Sequence, residues 1–314
     1  MRLAKLLAGG ALFAAVLVVT VREWHDVSDT VAEIGPAPIG FALTMSLLGL
    51  GLSALTWRIA LAELGAGVSV PAGMKIYLVG QLGKYIPGSV WAIVIQMELA
   101  RAAAVRRAQS VGAVIVAVAI NILTGSALGL VVQPFIGGGS DVRYVAAGIG
   151  IVCCAVVLAP PVLGRLADLG LRFLRQPTLE RRPRWPNILA ASGFSIASWL
   201  SYGTALGILA IGAGADPSKT LRLALPAVAL AMTIGFLVVV APSGLGVREA
   251  VLVAALSPVL EPASALAVAL VLRVVFTLAD LLAATATLPI RITSVRQPAP
   301  ALPVHREEPS PGGS

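Results

Sequence analysis

Between Gly80 and Glu98 the chain reads GQLGKYIPGSVWAIVIQME, an apolar run that carries Lys84, Gln96 and Glu98 and is cut in its middle by Pro87-Gly88. Proline removes a backbone donor and breaks a helix, and glycine frees the turn that follows. The chain around this break is 58% hydrophobic and only 12% charged, with a mean hydropathy of +0.92. A soluble domain carries ~25% charged residues, so the composition predicts an all-α polytopic membrane protein. In such a chain the break is tightly constrained. Non-helical backbone is tolerated at membrane depth only where protein buries it or where it lines a wet cavity. The pieces on either side are about ten residues each, whereas crossing the ~30 Å hydrocarbon core takes ~20. The segment from about Ala72 to Met97 is therefore expected to be a re-entrant hairpin with Pro87-Gly88 at its tip.

The remaining apolar runs predict full spans at Met1 to Val21, Ile39 to Trp57, Ser110 to Phe135, Val142 to Leu163, Asn187 to Ala213 and Pro262 to Pro289. Orientation follows from where the basic residues fall. The loop Arg22 to Pro38, with Glu23, Asp26, Asp29 and Glu33, reads as the outside face. The loop Gly164 to Pro186 holds Arg165, Arg172, Arg175, Arg181, Arg182 and Arg184 and reads as cytoplasmic. Arg2 and Lys5 at one end, and Arg291 and Arg296 at the other, place both termini in the cytoplasm of a multi-pass plasma-membrane protein.

Parity then decides the second half. Ala213 is outside, and the last span must begin outside to finish inside at Arg291. The run Leu221 to Leu256 thus starts and ends outside, which makes it a second hairpin with Pro242-Ser243-Gly244 at its tip. Leu221 to Ala241 is also long enough to cross fully, which would instead put Gly244 to Gly246 in a cytoplasmic loop. With the hairpin reading, span, span, hairpin, span occurs twice in opposite orientation. The expected fold is about six full transmembrane helices plus two re-entrant helical hairpins in an inverted-topology repeat. Residues 1–296 form the integral membrane domain, with repeats at about 1–135 and 142–291, and 297–314 is a proline-rich tail expected to be disordered.

The charge pattern accounts for the net charge of +8 without nucleic acid, and no basic groove interleaved with aromatics is present. Cys153 and Cys154 are adjacent inside an apolar run, which supports neither a disulfide framework nor a metal site. His25 and His305 are the two histidines, and there is no GxSxG, P-loop or HExxH motif. Neither a catalytic constellation nor a cofactor is expected.

Charges at membrane depth cost roughly 2.5 kcal/mol or more and mark bundle interiors or wet pathways. The candidates are Lys84, Gln96 and Glu98 at the first hairpin, Arg248 and Glu249 after the second break, and Arg273 and Asp280 in the last span. Arg273 and Asp280 are seven apart and share a helix face. Two readings stand side by side. In one, Arg248–Glu249 and Arg273–Asp280 are structural ion pairs. In the other, Lys84, Arg248 and Arg273 line a cavity that attracts a phosphate headgroup, while the carboxylates meet a cationic or hydroxyl group. Trp91 is either core packing or a cavity wall.

At GQLGKYIPGSVW and again at PSGLGVRE the chain resembles the lysylphosphatidylglycerol synthase transmembrane family, over about Lys5 to Arg291. Gly83, Lys84, Pro87, Gly88 and Trp91 fit the first motif; Pro242, Gly244, Gly246, Arg248 and Glu249 fit the second. The resemblance implies a lipid-translocating domain with re-entrant segments around a central cavity. The short tail after Arg296 leaves no room for the soluble aminoacyl-transferase domain of the full-length synthases, so aminoacyl transfer is not expected. Stand-alone members are also associated with glycolipid and polyprenyl-linked pathways, so an anionic phospholipid and a lipid-linked sugar are both candidate cargoes. The expected function is a flippase-like transporter of a polar lipid. The alternatives are a non-transporting scaffold for a separate glycosyltransferase or lipid-modifying enzyme, and a membrane enzyme with Glu98 or Glu249 as base.

Overall fold

The protein, seen in a computed structural model, is described over residues 24–86, 91–132, 141–179, 181–237 and 246–292. The expected first span, the tips Pro87-Gly88 and Pro242-Ser243-Gly244, the turn at Gly137 to Ser140 and the tail 297–314 lie outside the described residues.

Nearly everything described is helical, and no strand runs through it. The helices are α1 (Trp24–Ile34), α2 (Pro36–Glu63), α3 (Val70–Gln81), a 3₁₀ turn (Leu82–Tyr85), α4 (Trp91–Arg101), α5 (Arg107–Val132), α6 (Asp141–Leu158), α7 (Pro160–Phe173), α8 (Trp185–Gly212), α9 (Pro217–Leu237), α10 (Val247–Leu256) and α11 (Pro262–Thr287). Prolines open α2, α3, α7, α8 and α11 in their first turn, where the missing N–H has no helical partner to lose. Among the described residues α2, α5, α8 and α11 are long and apolar enough to cross a membrane, and α6 with α7 makes a fifth span if that bent pair is counted as one. The chain is a multi-pass membrane protein.

The central pair is α2 against α8, two helices of 28 residues each. Small residues let them approach, as expected where apolar burial against lipid gives no drive of its own. A Cβ on Gly49 would stand 2.6 Å from the Tyr202 ring. Ser53 and Ser198 share a hydrogen bond of 2.8 Å, and Ser198 donates to the Gly49 carbonyl at 2.8 Å. Around this pair, α3 packs on α2 and α9 packs on α8. Each also reaches across to the other half, α3 against α11 and α9 against α5.

Two elements appear where loops are expected. The stretch Arg22 to Pro38 contains α1, whose Val31 packs on Leu266 and Ala267 and whose Thr30 hydroxyl meets that of Ser264 at 3.3 Å. The stretch from Gly164 onward continues as helix to Phe173. The span predicted over Val142 to Leu163 ends at Leu158, and the chain turns by 68° into α7. Pro160-Pro161 explains the break: these residues cannot continue α6 but suit the first turn of a new helix. Leu163, Ala167 and Leu171 then recur at helical spacing and are buried.

Candidate functional site

The first broken segment is a packed helical hairpin. At ~1.5 Å per residue, its 12-residue α3 and 11-residue α4 are each shorter than 20 Å. Glycines let the legs touch. A Cβ on Gly83 would stand 2.5 Å from the Ala92 nitrogen and 2.6 Å from the Trp91 carbonyl carbon, both backbone atoms. A Cβ on Gly80 would collide with the stem of Gln96. The sequence GQLG therefore supplies a flat surface onto which α4 folds, and this carries Gln96 inward, where it is 3% exposed.

In the second half, α10 packs on α9. Gly246 sits in the left-handed region at φ 81°, which favours glycine, and starts α10. The Gly246 N–H donates to Glu249 Oε2 at 2.7 Å, so the carboxylate caps its own helix. The other oxygen, Glu249 Oε1, is paired with the Arg273 guanidinium. One side chain thereby fixes α10 to α11.

Helix α11 grips the first hairpin and α10 at once. Asp280, seven residues beyond Arg273, accepts from Lys84 Nζ at 2.6 Å and from the Tyr85 hydroxyl at 2.6 Å. Lys75 closes the same contact lower down, donating to the carbonyls of Leu288 at 2.6 Å and Ile290 at 2.8 Å. The ion pairs are thus Lys84–Asp280 and Arg273–Glu249, not Arg248–Glu249 and Arg273–Asp280. Geometry dictates this. Residues seven apart on a helix lie ~10.5 Å apart along its axis, and adjacent residues point ~100° apart. Arg273 and Asp280 share a face but each has its own partner, and no ion pair joins Arg248 to Glu249 among the described residues.

Between these elements lies a cavity of about 530 Å³. Lys84, Tyr85 and Gln96 line it from the first hairpin, Arg248 and Glu249 from α10, and Arg273, Thr277 and Asp280 from α11. Ser53, Tyr77, Asn121, Trp199, Tyr202 and Thr233 add to its polar and aromatic wall. Three cations face two carboxylates, leaving one positive charge in excess. The excess cation is Arg248. Its Nε is buried and has no hydrogen-bond partner among the described residues. The stem lies flat on α9, where a Cβ on Gly235 would stand 2.5 Å from Arg248 Cγ and 2.6 Å from Nε. The cavity also holds an orphan acceptor, the buried Oε1 of Gln96. Buried polar atoms are nearly always satisfied in folded proteins. Arg248 and Gln96, which both line this cavity, thus carry a guanidinium donor and an amide acceptor with no hydrogen-bond partner among the described residues.

Of the residues predicted from sequence, the structure gathers Lys84, Gln96, Arg248, Glu249, Arg273 and Asp280 around this cavity. Gly246 stands behind it as the start of α10. Trp91 is 43% exposed and does not line the cavity. Glu98 is on the surface, paired with Arg101 at 3.0 Å and Arg107 at 3.8 Å. Pro87, Gly88, Pro242 and Gly244 are outside the described residues. Sequence reasoning passed over Tyr77, Tyr85, Asn121, Tyr202 and Thr277. Two carried a readable signal: Tyr85 adjoins Lys84, and Thr277 lies on the Arg273–Asp280 face.

A family model described as the lysylphosphatidylglycerol synthase TM region matches residues 6–284. No curated protein matches the chain. The match covers α3, α4, α9 and α10, all of α11 that lines the cavity, and the long helices that frame them, so the chain belongs to the lysylphosphatidylglycerol synthase transmembrane family.

Proposed function

We propose that this protein carries a polar lipid with an anionic headgroup from one leaflet to the other, the headgroup passing through the cavity while the acyl chains stay in lipid. The observation that carries the reading is the buried Nε of Arg248, without a hydrogen-bond partner among the described residues, on a side chain lining a cavity between the first hairpin, α10 and α11. A volume of about 530 Å³ is in the range of small-ligand sites and suits a headgroup rather than a whole lipid. A phosphate would meet Arg248, and a headgroup hydroxyl or ammonium would meet Gln96 Oε1.

In this reading α3–α4 and α9–α10 are re-entrant hairpins of an inverted repeat. The short legs of the first hairpin and the exchange-symmetric packing support it. Alternating access would be rocking of one half against the other, with α11 as the element both hairpins grip. Neither a cofactor nor aminoacyl transfer is part of this proposal.

A translocation assay in proteoliposomes tests it. Reconstituted wild type should move fluorescent phosphatidylglycerol or a polyprenyl-linked sugar across the bilayer, and Arg248→Gln should stop the movement while the protein still inserts and elutes as a single species. Unchanged movement in Arg248→Gln would refute the role of the guanidinium. No movement of any lipid by folded wild type would refute transport. That outcome would favour the scaffold reading, which rests on a basic hollow of about 390 Å³ between Arg101, Arg106 and Arg107 and the segment Gln176 to Leu179.

A further inference from the structure

Helix α7 is too short to cross a bilayer and is strongly amphipathic, and its surroundings say how it lies. At ~100° per residue its positions fall into three sectors. Leu163, Gly164, Ala167, Asp168 and Leu171 form the buried face, and α7 packs on α5. Leu166, Leu169 and Phe173 form a narrow exposed stripe opposite, with Phe173 87% exposed. Arg165 and Arg172, seven residues apart, share one edge of that stripe, and Arg175 follows just past the helix end. All three arginines are exposed, and none is ion-paired with a carboxylate among the described residues. Further along the same loop, Arg182 pairs with Asp168 at 2.6 Å and Arg184 with Glu63 at 3.4 Å, while Arg181 is exposed beside Gly65.

The exposed stripe also continues a lipid-facing one. In α6, Val145, Ile149, Val152 and Val156 are exposed at helical spacing. The chain leaves that helix through the 68° bend and enters α7 directly. A helix at the end of a span, apolar on one exposed face and basic along its edge, has the composition of one lying in the headgroup layer.

We propose that α7 is an in-plane anchor that binds anionic phospholipid, with Leu166, Leu169 and Phe173 entering the acyl boundary and Arg165, Arg172 and Arg175 on the phosphates. Asp168 is the device that fixes it. Its Oδ1 accepts from the Leu179 N–H at 2.9 Å and its Oδ2 from Arg182 at 2.6 Å, which folds the chain after α7 back onto the helix. The inference rests on the membrane setting and is independent of transport through the cavity.

The test uses the full chain in liposomes, in a Cys153→Ser/Cys154→Ala background, with spin labels placed singly at Leu169→Cys, Phe173→Cys and Arg172→Cys. Labels at 169 and 173 should be reached by dissolved oxygen and shielded from a water-soluble nickel relaxant, and the label at 172 should show the reverse balance. In parallel, the Arg165→Gln/Arg172→Gln/Arg175→Gln chain should lose its preference for phosphatidylglycerol over phosphatidylcholine, by roughly fivefold per arginine at low salt. A label at 173 relaxed from water would overturn the anchor. So would a label immobilised and hidden from both relaxants, which would mean a second copy or another protein covers the stripe. Correct depths with an unchanged lipid preference in the triple variant would overturn the anionic-lipid assignment.

Discussion

Gly235→Ala isolates the role of Arg248 without touching its charge. The added methyl would stand 2.5 Å from Arg248 Cγ and 2.6 Å from Nε, with Cδ at 3.1 Å. Carbon contacts settle at ~3.5–4.0 Å, so the stem must lift by ~1 Å and the guanidinium swings with it. The neighbour that has to yield is a flexible side chain rather than backbone, and alanine favours helix over glycine by up to ~1 kcal/mol. The fold should therefore survive. What should be lost is the alignment of the guanidinium with an anion. A hydrogen bond to a charged group contributes about 1.5–3 kcal/mol, which corresponds to roughly 10- to 150-fold in affinity. Phosphatidylglycerol binding to purified protein, followed by native mass spectrometry beside thermal unfolding, reads both quantities. Binding within twofold of wild type in a folded Gly235→Ala chain would refute the placement of the ligand on Arg248.

Other substitutions probe the frame around the cavity. Glu249→Ala leaves the Arg273 charge uncompensated and removes the α10 cap. It should cost about 3–5 kcal/mol in thermal unfolding, and adding Arg273→Leu should recover part of that; a double variant no better than the single would contradict the pairing. Gly83→Ala sets a methyl against the backbone of Trp91 and Ala92, which cannot rotate away. The hairpin legs should part and the yield of monodisperse protein should fall, whereas a wild-type elution profile would count against the close approach. Outside the spans, Asp216 caps α9 by accepting from the Ser218 hydroxyl at 2.6 Å and from the Lys219 N–H at 2.9 Å. These bonds hold its carboxyl below the usual range. Because the folded value is the lower one, the cap is intact at neutral pH and is lost only as pH falls through that depressed value. Carboxyl NMR should show Asp216 titrating below a model aspartate, and a midpoint at or above the model value would exclude the cap.

The sequence was legible where one property was enough. Length and hydropathy located α2, α5, α8 and α11, because a span needs ~20 apolar residues whatever it packs against. That Gly80 to Glu98 is not one continuous helix was also legible: α3 ends at Gln81 and α4 starts at Trp91, with Pro87-Gly88 between them outside the described residues. Where two properties had to be read together, parts were missed. Arg165 and Arg172 entered as loop charges, and the buried spacing of Leu163, Ala167 and Leu171 that makes their segment a helix went unread. The charged residues themselves were legible, but their partners were not. Pairing depends on which helices face one another, and no local rule joins Lys84 to Asp280 across the chain. Tyr77 and Tyr202 show the same limit: an aromatic in an apolar span reads as packing until the cavity beside it is seen.

The most direct measurement asks whether a lipid enters the cavity. A photo-reactive residue at Phe276, which lines the cavity on α11, would be compared with one at Val152, exposed on the outer face of α6, in liposomes containing radiolabelled phosphatidylglycerol. The account predicts labelled lipid cross-linked at both positions, with the Phe276 signal lost in Arg248→Gln and the Val152 signal unchanged. Cross-linking at Val152 alone, or a Phe276 signal indifferent to Arg248, would contradict it.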